Sequence, residues 1–273
     1  MRRSPLAVLV CLTVSCQAFA GSAHAQARAV APAADPTATQ PDERGAETQP
    51  AAAPADEAST PAAPAPEPGP LFGAGSDILA TSAYVWRGFV PGGFSVQPAL
   101  WISVGRLKVS SWMNFANFDG PMTEHDLTID YTTPAPGGDL SIGYVNYVFP
   151  GAAEGAHSQE VYVGYTHRSP FSPGVRVFHD VDAGSGTYIS GSLSYTYAMT
   201  PAGVEFTPSA ALGYNHRQWI DVSTWSDLNV GITVSLPAIV ARLSVAPFLF
   251  RSQSLNRAAF PSRWYGGVGV SMK

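Results

Sequence analysis

Cysteine is confined to Cys11 and Cys16, both inside an expected export leader, so the mature chain has none. Without thiols there is no disulfide staple and no thiolate to bind a metal or attack a substrate. Long apolar runs are missing too. No stretch after the leader approaches the roughly eighteen uninterrupted apolar residues of a membrane helix, so residence in a bilayer has to come from strands. Charge is scarce, at 13% of residues, and no basic patch points to nucleic acid. Phosphate loops and dinucleotide fingerprints are absent. The candidate histidines His125, His157, His179 and His216 are scattered, and His157-Ser158 are chain neighbours on a loop, a poor geometry for a nucleophile and its base. These absences predict no catalytic, cofactor or metal site.

The chain opens with Arg2-Arg3, an apolar run from Leu6 to Val14, and Ala23-His24-Ala25 before Gln26. That order of features predicts a signal peptide over 1–25. Cys16 offers a rival reading as a lipid acceptor, but Thr13 suits that recognition poorly and Ala23-His24-Ala25 is better placed. Residues 26–70 are Pro/Ala-rich, with Pro61, Pro64, Pro66, Pro68 and Pro70 close together. Too little apolar surface is present for a core, so this is expected to be a disordered periplasmic arm. Two arginines, Arg28 and Arg44, face seven carboxylates there, which accounts for much of the overall balance of −5. An extended arm could reach about 100 Å, enough to enter peptidoglycan, although a solvated spacer with no partner fits the composition somewhat better. Deleting 28–68 is expected to leave membrane insertion intact. Failed insertion with normal export would show that the arm takes part in assembly.

From Leu71 to Lys273 the chain alternates apolar with polar or small residues in segments of about ten, the period of a two-faced strand. Leu107-Lys108-Val109-Ser110-Ser111-Trp112-Met113-Asn114-Phe115 is representative, as is Leu228-Asn229-Val230-Gly231-Ile232-Thr233-Val234-Ser235-Leu236. Breakers place twelve strands near 78–88, 94–104, 107–118, 124–132, 139–149, 159–169, 175–182, 187–199, 204–216, 225–236, 239–250 and 262–272, with ten or fourteen as alternatives. Connections alternate between short ones, such as Gly105-Arg106, 134–138, 170–174, 201–203 and Pro237-Ala238, and long ones, such as 150–157, 217–224 and 251–261. Short periplasmic turns and longer outer loops are the habit of outer-membrane barrels. The predicted fold is therefore all-β, an antiparallel transmembrane β-barrel over 71–273; a soluble sandwich or lipocalin-like barrel is the competing fold. Phe115, Phe118, Tyr131, Phe149, Tyr197, Tyr214 and Trp264 are expected at interfacial girdles. The closing strand ends on Lys273 rather than an aromatic, a weaker assembly signal.

On the first of these strands, Ser82-Ala83-Tyr84-Val85-Trp86-Arg87-Gly88 resembles the Tyr-x-Phe-Arg-Gly opening of the TorF-type porin family, with Trp86 in place of Phe. Gln97-Pro98-Ala99, the stretch 139–143 with Tyr144 and Tyr147, Phe149-Pro150-Gly151, Glu160-Val161-Tyr162-Val163-Gly164 and Phe178-His179-Asp180 through Gly186-Thr187-Tyr188 extend the similarity across most of 77–272. The resemblance implies a small bacterial outer-membrane barrel with a transport role. The Pro/Ala-rich arm lies outside it.

An arginine facing lipid at mid-depth costs about 2 to 4 kcal/mol, so charged strand residues belong on the lumen face or at a rim. That rule assigns Lys108, Asp126, Asp130, Glu160, Arg168, Arg176, Asp180, Glu205, Asp227 and Arg242 to the lumen. Arg87 joins them by sharing a face with Ala83 and Val85, which puts Tyr84 and Trp86 outside. The outer half carries more carboxylates than arginines, with Glu160 and Asp180 nearest the mouth, and so favours cations weakly. The expected function is a passive outer-membrane channel for small polar solutes or ions. A lumen-blocked structural or adhesive barrel comes second and a lipid-modifying enzyme third. Expected partners are outer-membrane lipids, the barrel-assembly machinery and, through the arm, peptidoglycan.

Overall fold

The computed structural model describes residues 71–272 apart from 151, 153–155, 200, 201 and 241. The expected leader and Pro/Ala-rich arm lie outside the described residues. Every regular element among them is a strand: β1 Phe72–Thr81, β2 Tyr84–Trp86, β3 Phe89–Gly92, β4 Ser95–Val104, β5 Leu107–Ala116, β6 Met122–Ala135, β7 Gly138–Val148, β8 His157–His167, β9 Gly174–Asp180, β10 Thr187–Ser194, β11 Tyr197–Met199, β12 Val204–His216, β13 Ser223–Val240, β14 Leu243–Ser254 and β15 Arg263–Met272.

Chain neighbours pair antiparallel, and β1 closes the ring by pairing with β4 on one side and β15 on the other. β10 and β11 both run against β12 and form one line of wall, so the barrel has twelve wall positions. β2 and β3 pair only with each other and stand outside the wall.

The alternation decides which face goes where. On β4, Ser95, Gln97 and Ala99 are buried inside while Leu100, Ile102 and Val104 are exposed outside. On β8, Ser158 and Glu160 point in, whereas Val161 and Val163 point out. Ile78, Ile129, Ile142, Val230 and Leu249 continue the apolar exterior around the ring. A soluble sandwich or lipocalin would bury these side chains; an exterior of this kind is suited to hydrocarbon. Because a closed ladder leaves no free edge, the folded protein is expected to stay compact in detergent at room temperature and to shift its gel mobility only on heating. Recovery of the protein in a detergent-free soluble fraction would sink this expectation.

Turn chemistry explains the shorter connections. Ala135 pairs with Gly138, leaving Pro136-Gly137 as a two-residue turn in which Gly137 takes φ +70°. Val240 pairs with Leu243, so β13 runs on through Pro237-Ala238, where the turn was expected, and the chain reverses only after Val240. The barrel thus has a turn end, which also carries Phe72 and Met272, and an opposite loop end.

The largest departure from the alternation is the first strand, expected over 78–88. β1 stops at Thr81, whose hydroxyl donates to the Ala83 carbonyl at 2.9 Å. Ser82 is stitched to the closing strand, its N–H donating to the Gly266 carbonyl and its hydroxyl accepting the Gly266 N–H. Residues 83–92 then leave the wall and fold into the barrel. Tyr84 and Trp86, expected outside, are buried within the lumen at 4% and 3% exposure. Alternation cannot reveal this turn, because a hairpin and a wall strand share the same period.

The core accordingly sits inside the loop half of the barrel. Tyr84, Trp86 and Phe89 of the hairpin pack with Trp112, Val145, Tyr147, Phe149 and Phe260. Phe260, from the loop after β14, stands edge-on to Phe89 at 4.9 Å. Phe149, expected in a girdle, instead stacks on Tyr147 and meets Trp219 edge-on. Each large apolar side chain so buried contributes about 1.5 to 3 kcal/mol. Phe118, Tyr131, Tyr197 and Trp264 do lie exposed, as a girdle requires.

Candidate functional site in the barrel lumen

Trp86 pairs with Phe89, so the hairpin turns on two residues, Arg87 and Gly88. Both have positive φ, 50° and 89°, the pattern of a type I′ turn. Asn-Gly is the usual occupant. An arginine at the first position costs about 1 to 2 kcal/mol of backbone strain, which marks the residue as placed for its side chain. Gly88 is required twice over: its φ favours glycine, and a Cβ there would meet Phe260 at 3.1 Å and Ser226 at 3.3 Å.

The turn delivers the Arg87 guanidinium to Glu160 on β8. Nη1 donates to Oε1 at 2.7 Å and Nη2 to Oε2 at 2.9 Å, a two-pronged match of fork to carboxylate. Nη1 also donates to Gln218 Oε1 at 2.7 Å. Glu160 accepts two further bonds at 2.6 Å each, from Tyr147 Oη and Gln218 Nε2. Aromatic rings cover the cation: its Cζ lies 4.0 Å from the centre of Phe178, 4.6 Å from Trp86 and 4.8 Å from Tyr188. Glu160 is fully buried, and Arg87 nearly so at 8%.

Local structure holds each partner. β7, β8, β9 and β10 supply Tyr147, Glu160, Phe178 and Tyr188 from adjacent wall positions. Gly213 leaves the space that the Tyr188 ring occupies, since a Cβ there would strike the Tyr188 hydroxyl. Gln218 lies in the loop after β12, clamped to Asn215 by a 2.8 Å bond from its N–H and a 3.0 Å bond to its carbonyl. Its neighbours Arg217 and Trp219 both take positive φ, turning the intervening residue inward.

The remaining charges expected in the lumen divide into groups. Asp126 is buried in the loop half, as is Glu124, which accepts the Tyr84 hydroxyl at 3.1 Å. Asp180 lies opposite Glu160 in register but does different work: it accepts Ser158 Oγ at 2.8 Å and the N–H groups of Asp182, Gly184 and Ser185, so it ties down the loop after β9. Asp227 accepts Ser226 and Ser252. It borders a cavity of about 20 Å³ beside Arg87, enough for a water molecule. Among the described buried charges, Arg87 faces the five carboxylates Glu124, Asp126, Glu160, Asp180 and Asp227.

Towards the turn end, Lys108 stands opposite Asp130 in register and lies 5.0 Å from the Trp101 ring. Tyr162 donates to Asp130 at 2.5 Å, and the Arg176 guanidinium sits 5.2 Å from the Tyr162 ring. Glu205, also on this half, is partly buried on β12. Two assignments change. Arg168 lies past the end of β8 and pairs with Asp139 on an exposed rim, with both side chains about 40% exposed. Arg242 lies in the turn before β14, exposed and at φ +75°. Both were expected on strands because the strand ends were set too late in one case and too early in the other.

Tyr147, Phe178, Tyr188 and Gln218 are the members of the site not singled out as lumen residues, beside Trp86, which was expected outside. The first three follow the inward alternation and were passed over because only charge was sought. Gln218 sits on a loop, where alternation says nothing. On the barrel exterior, His125, His179 and His216 each share a hydrogen bond with a hydroxyl, from Ser111 at 2.8 Å, Thr187 at 3.0 Å and Ser223 at 2.7 Å. Among the described residues no group of three or more His, Asp and Glu is arranged to hold a metal ion.

Fold and lumen together define a closed twelve-strand β-barrel of the transmembrane kind with a hairpin folded into its lumen. The chain matches no known family profile and no curated protein. Among solved structures it is similar to the translocator domain of the autotransporter NalP from Neisseria meningitidis, at 11% identity and a TM-score of 0.41, over 73% of this chain and 86% of that one. That likeness is too loose to carry function or location.

Proposed function

We propose that this protein is an outer-membrane channel for small polar solutes or ions, closed at rest by the hairpin 82–94, and that it belongs with the TorF-type porins it resembles. One observation carries this reading: between its anchored ends at Ser82 and Phe94, the element filling the lumen pairs only with itself among the described residues, so it can swing about those ends without breaking the barrel. A permanent plug has no need of a strained turn or of a buried ion pair, which is costly to desolvate and replaceable by apolar packing. The polar and charged side chains lining the rest of the lumen suit water and ions rather than a dry core. In this reading the turn end faces the periplasm, with the Pro/Ala-rich arm beside peptidoglycan, and outer-membrane lipids surround a wall placed there by the barrel-assembly machinery.

The test compares planar-bilayer conductance of the intact protein with that of a variant whose residues 82–94 are replaced by a short Gly/Ser turn. The intact barrel is expected to be mostly silent and the variant to conduct steadily. With Arg87 gone the buried carboxylates dominate, so the variant should prefer cations at low salt. The preference should fade as the Debye length falls from about 30 Å at 0.01 M to about 3 Å at 1 M. The packing of Phe89 on Phe260 favours a second reading, a barrel blocked for structural purposes. Silence from a hairpin-free barrel that still shows the heat-dependent gel shift would establish that reading.

A further inference from the structure

We infer that the pocket around the Arg87 head group is a recognition site for guanidinium-bearing organic cations, which Arg87 occupies at rest as a built-in competitor. As a transport site it rests on the channel reading; as a binding site it does not.

The pocket matches the head group rather than the residue. Its bonds go only to the two terminal nitrogens, through Glu160 and Gln218, and to the flat faces of the cation, through Phe178, Tyr188 and Trp86. Arg87 Nε makes no hydrogen bond among the described residues, so nothing reads the link to the rest of the side chain. A paired carboxylate edge, a side-chain amide and stacked rings are the features that select a planar, delocalised cation. An ammonium is more strongly hydrated and lacks the fork, so it forfeits both the two-pronged bond and the stacking. Four of the five contributing side chains belong to the wall or the loop after β12. Only Trp86 travels with the hairpin, so withdrawal of Arg87 leaves the carboxylate, amide and two rings in place. The left-handed φ of Arg87 strains the turn, as expected of a group held in place by its partners rather than by its backbone. Solutes that carry a guanidinium or amidinium on a small body would meet this pocket on entering an open lumen.

The test is chemical rescue. Arg87→Ala empties the pocket and should lower the temperature of the gel shift. Guanidinium or methylguanidinium at about 1 to 10 mM, far below the molar range that denatures, should restore it. The preference over ammonium or potassium should be at least about tenfold. Wild type, whose pocket is filled, and Arg87→Ala combined with Glu160→Gln should not respond. Equal responses to guanidinium and potassium, or an undiminished response in the double variant, would overturn the assignment. If Arg87→Ala does not refold, Arg87→Gln serves the same purpose with less lost volume. Conductance of the same variants separates the two readings. Rescue without any conductance removes the channel and leaves the binding site. Conductance insensitive to guanidinium, with no rescue, removes the site and leaves the channel.

Discussion

Glu160→Gln is expected to raise the open probability of the barrel by about two to three decades. The substitution keeps shape and leaves Tyr147 and Gln218 with an amide to bond, but it strips the buried guanidinium of its only ion-pair partner among the described residues. An uncompensated buried charge costs about 3 to 5 kcal/mol, and each 1.4 kcal/mol is a tenfold change in an equilibrium. Arg87 recovers that energy by returning to water, and the hairpin goes with it, since between Ser82 and Phe94 no ladder bond ties it to the wall. The ring stacking on Arg87 survives the change of charge at Glu160 and retains part of the closed state, so the lower part of the range is the better expectation. Adding Arg87→Met removes the second charge while keeping an apolar side chain of similar length. The double variant should close again, because a buried ion pair and a well-packed neutral pair are often nearly equal in stability. Single-channel recordings of the four proteins give the coupling directly. A silent Glu160→Gln barrel, or a double variant as open as the single one, would mean that the ion pair does not latch the hairpin.

Asp180→Ala should act on stability and leave ion selectivity alone. Its carboxylate takes Ser158 Oγ and three backbone N–H groups of the 181–186 loop and is almost wholly buried, so it is spent on protein donors rather than presented to a permeating cation. Hydrogen bonds to a charged group contribute about 1.5 to 3 kcal/mol each, with losses overlapping when they share one acceptor. A net loss of about 3 kcal/mol is expected, seen as a fall of roughly 6 to 12 °C in the gel-shift temperature if the scaling for soluble domains of this size holds. The sequence reading paired Asp180 with Glu160 as the selectivity residues of the mouth. Both are instead committed to protein partners, and Glu124 and Asp126 are the better candidates for an opened lumen. A changed reversal potential in Asp180→Ala, measured in a hairpin-free background with the gel shift intact, would restore Asp180 to the permeation path.

The site was only partly legible for a physical reason that recurs along the chain. Period-two alternation reports which face a residue takes relative to its neighbours, and that sufficed for Lys108, Asp126, Asp130, Glu160, Arg176, Asp180, Glu205 and Asp227, all on wall strands. It also placed Arg87 in the lumen, but by the wrong route, as a wall residue rather than the tip of an inward hairpin. Tyr84 and Trp86 were therefore turned outward, although they are among the most buried aromatic residues in the barrel. Arg168 and Arg242 failed because an error of two to four residues at a strand end moves a side chain from the wall to the rim.

What the sequence determined by itself was the barrel: twelve two-faced segments joined by alternating short and long connections can bury their polar faces only by closing into a ring. That is a matter of local period and turn chemistry, written residue by residue. What the tertiary structure decided was the state of the lumen. Whether Ala83 to Gly92 extends the wall or folds inside it depends on what waits there, the Glu160 carboxylate, the Phe178 and Tyr188 rings and Gln218, which lie 73 to 131 residues further along the chain from Arg87 in the bonds that hold it. Contacts at that separation leave no trace in local periodicity, because they arise only once the strands have closed around them.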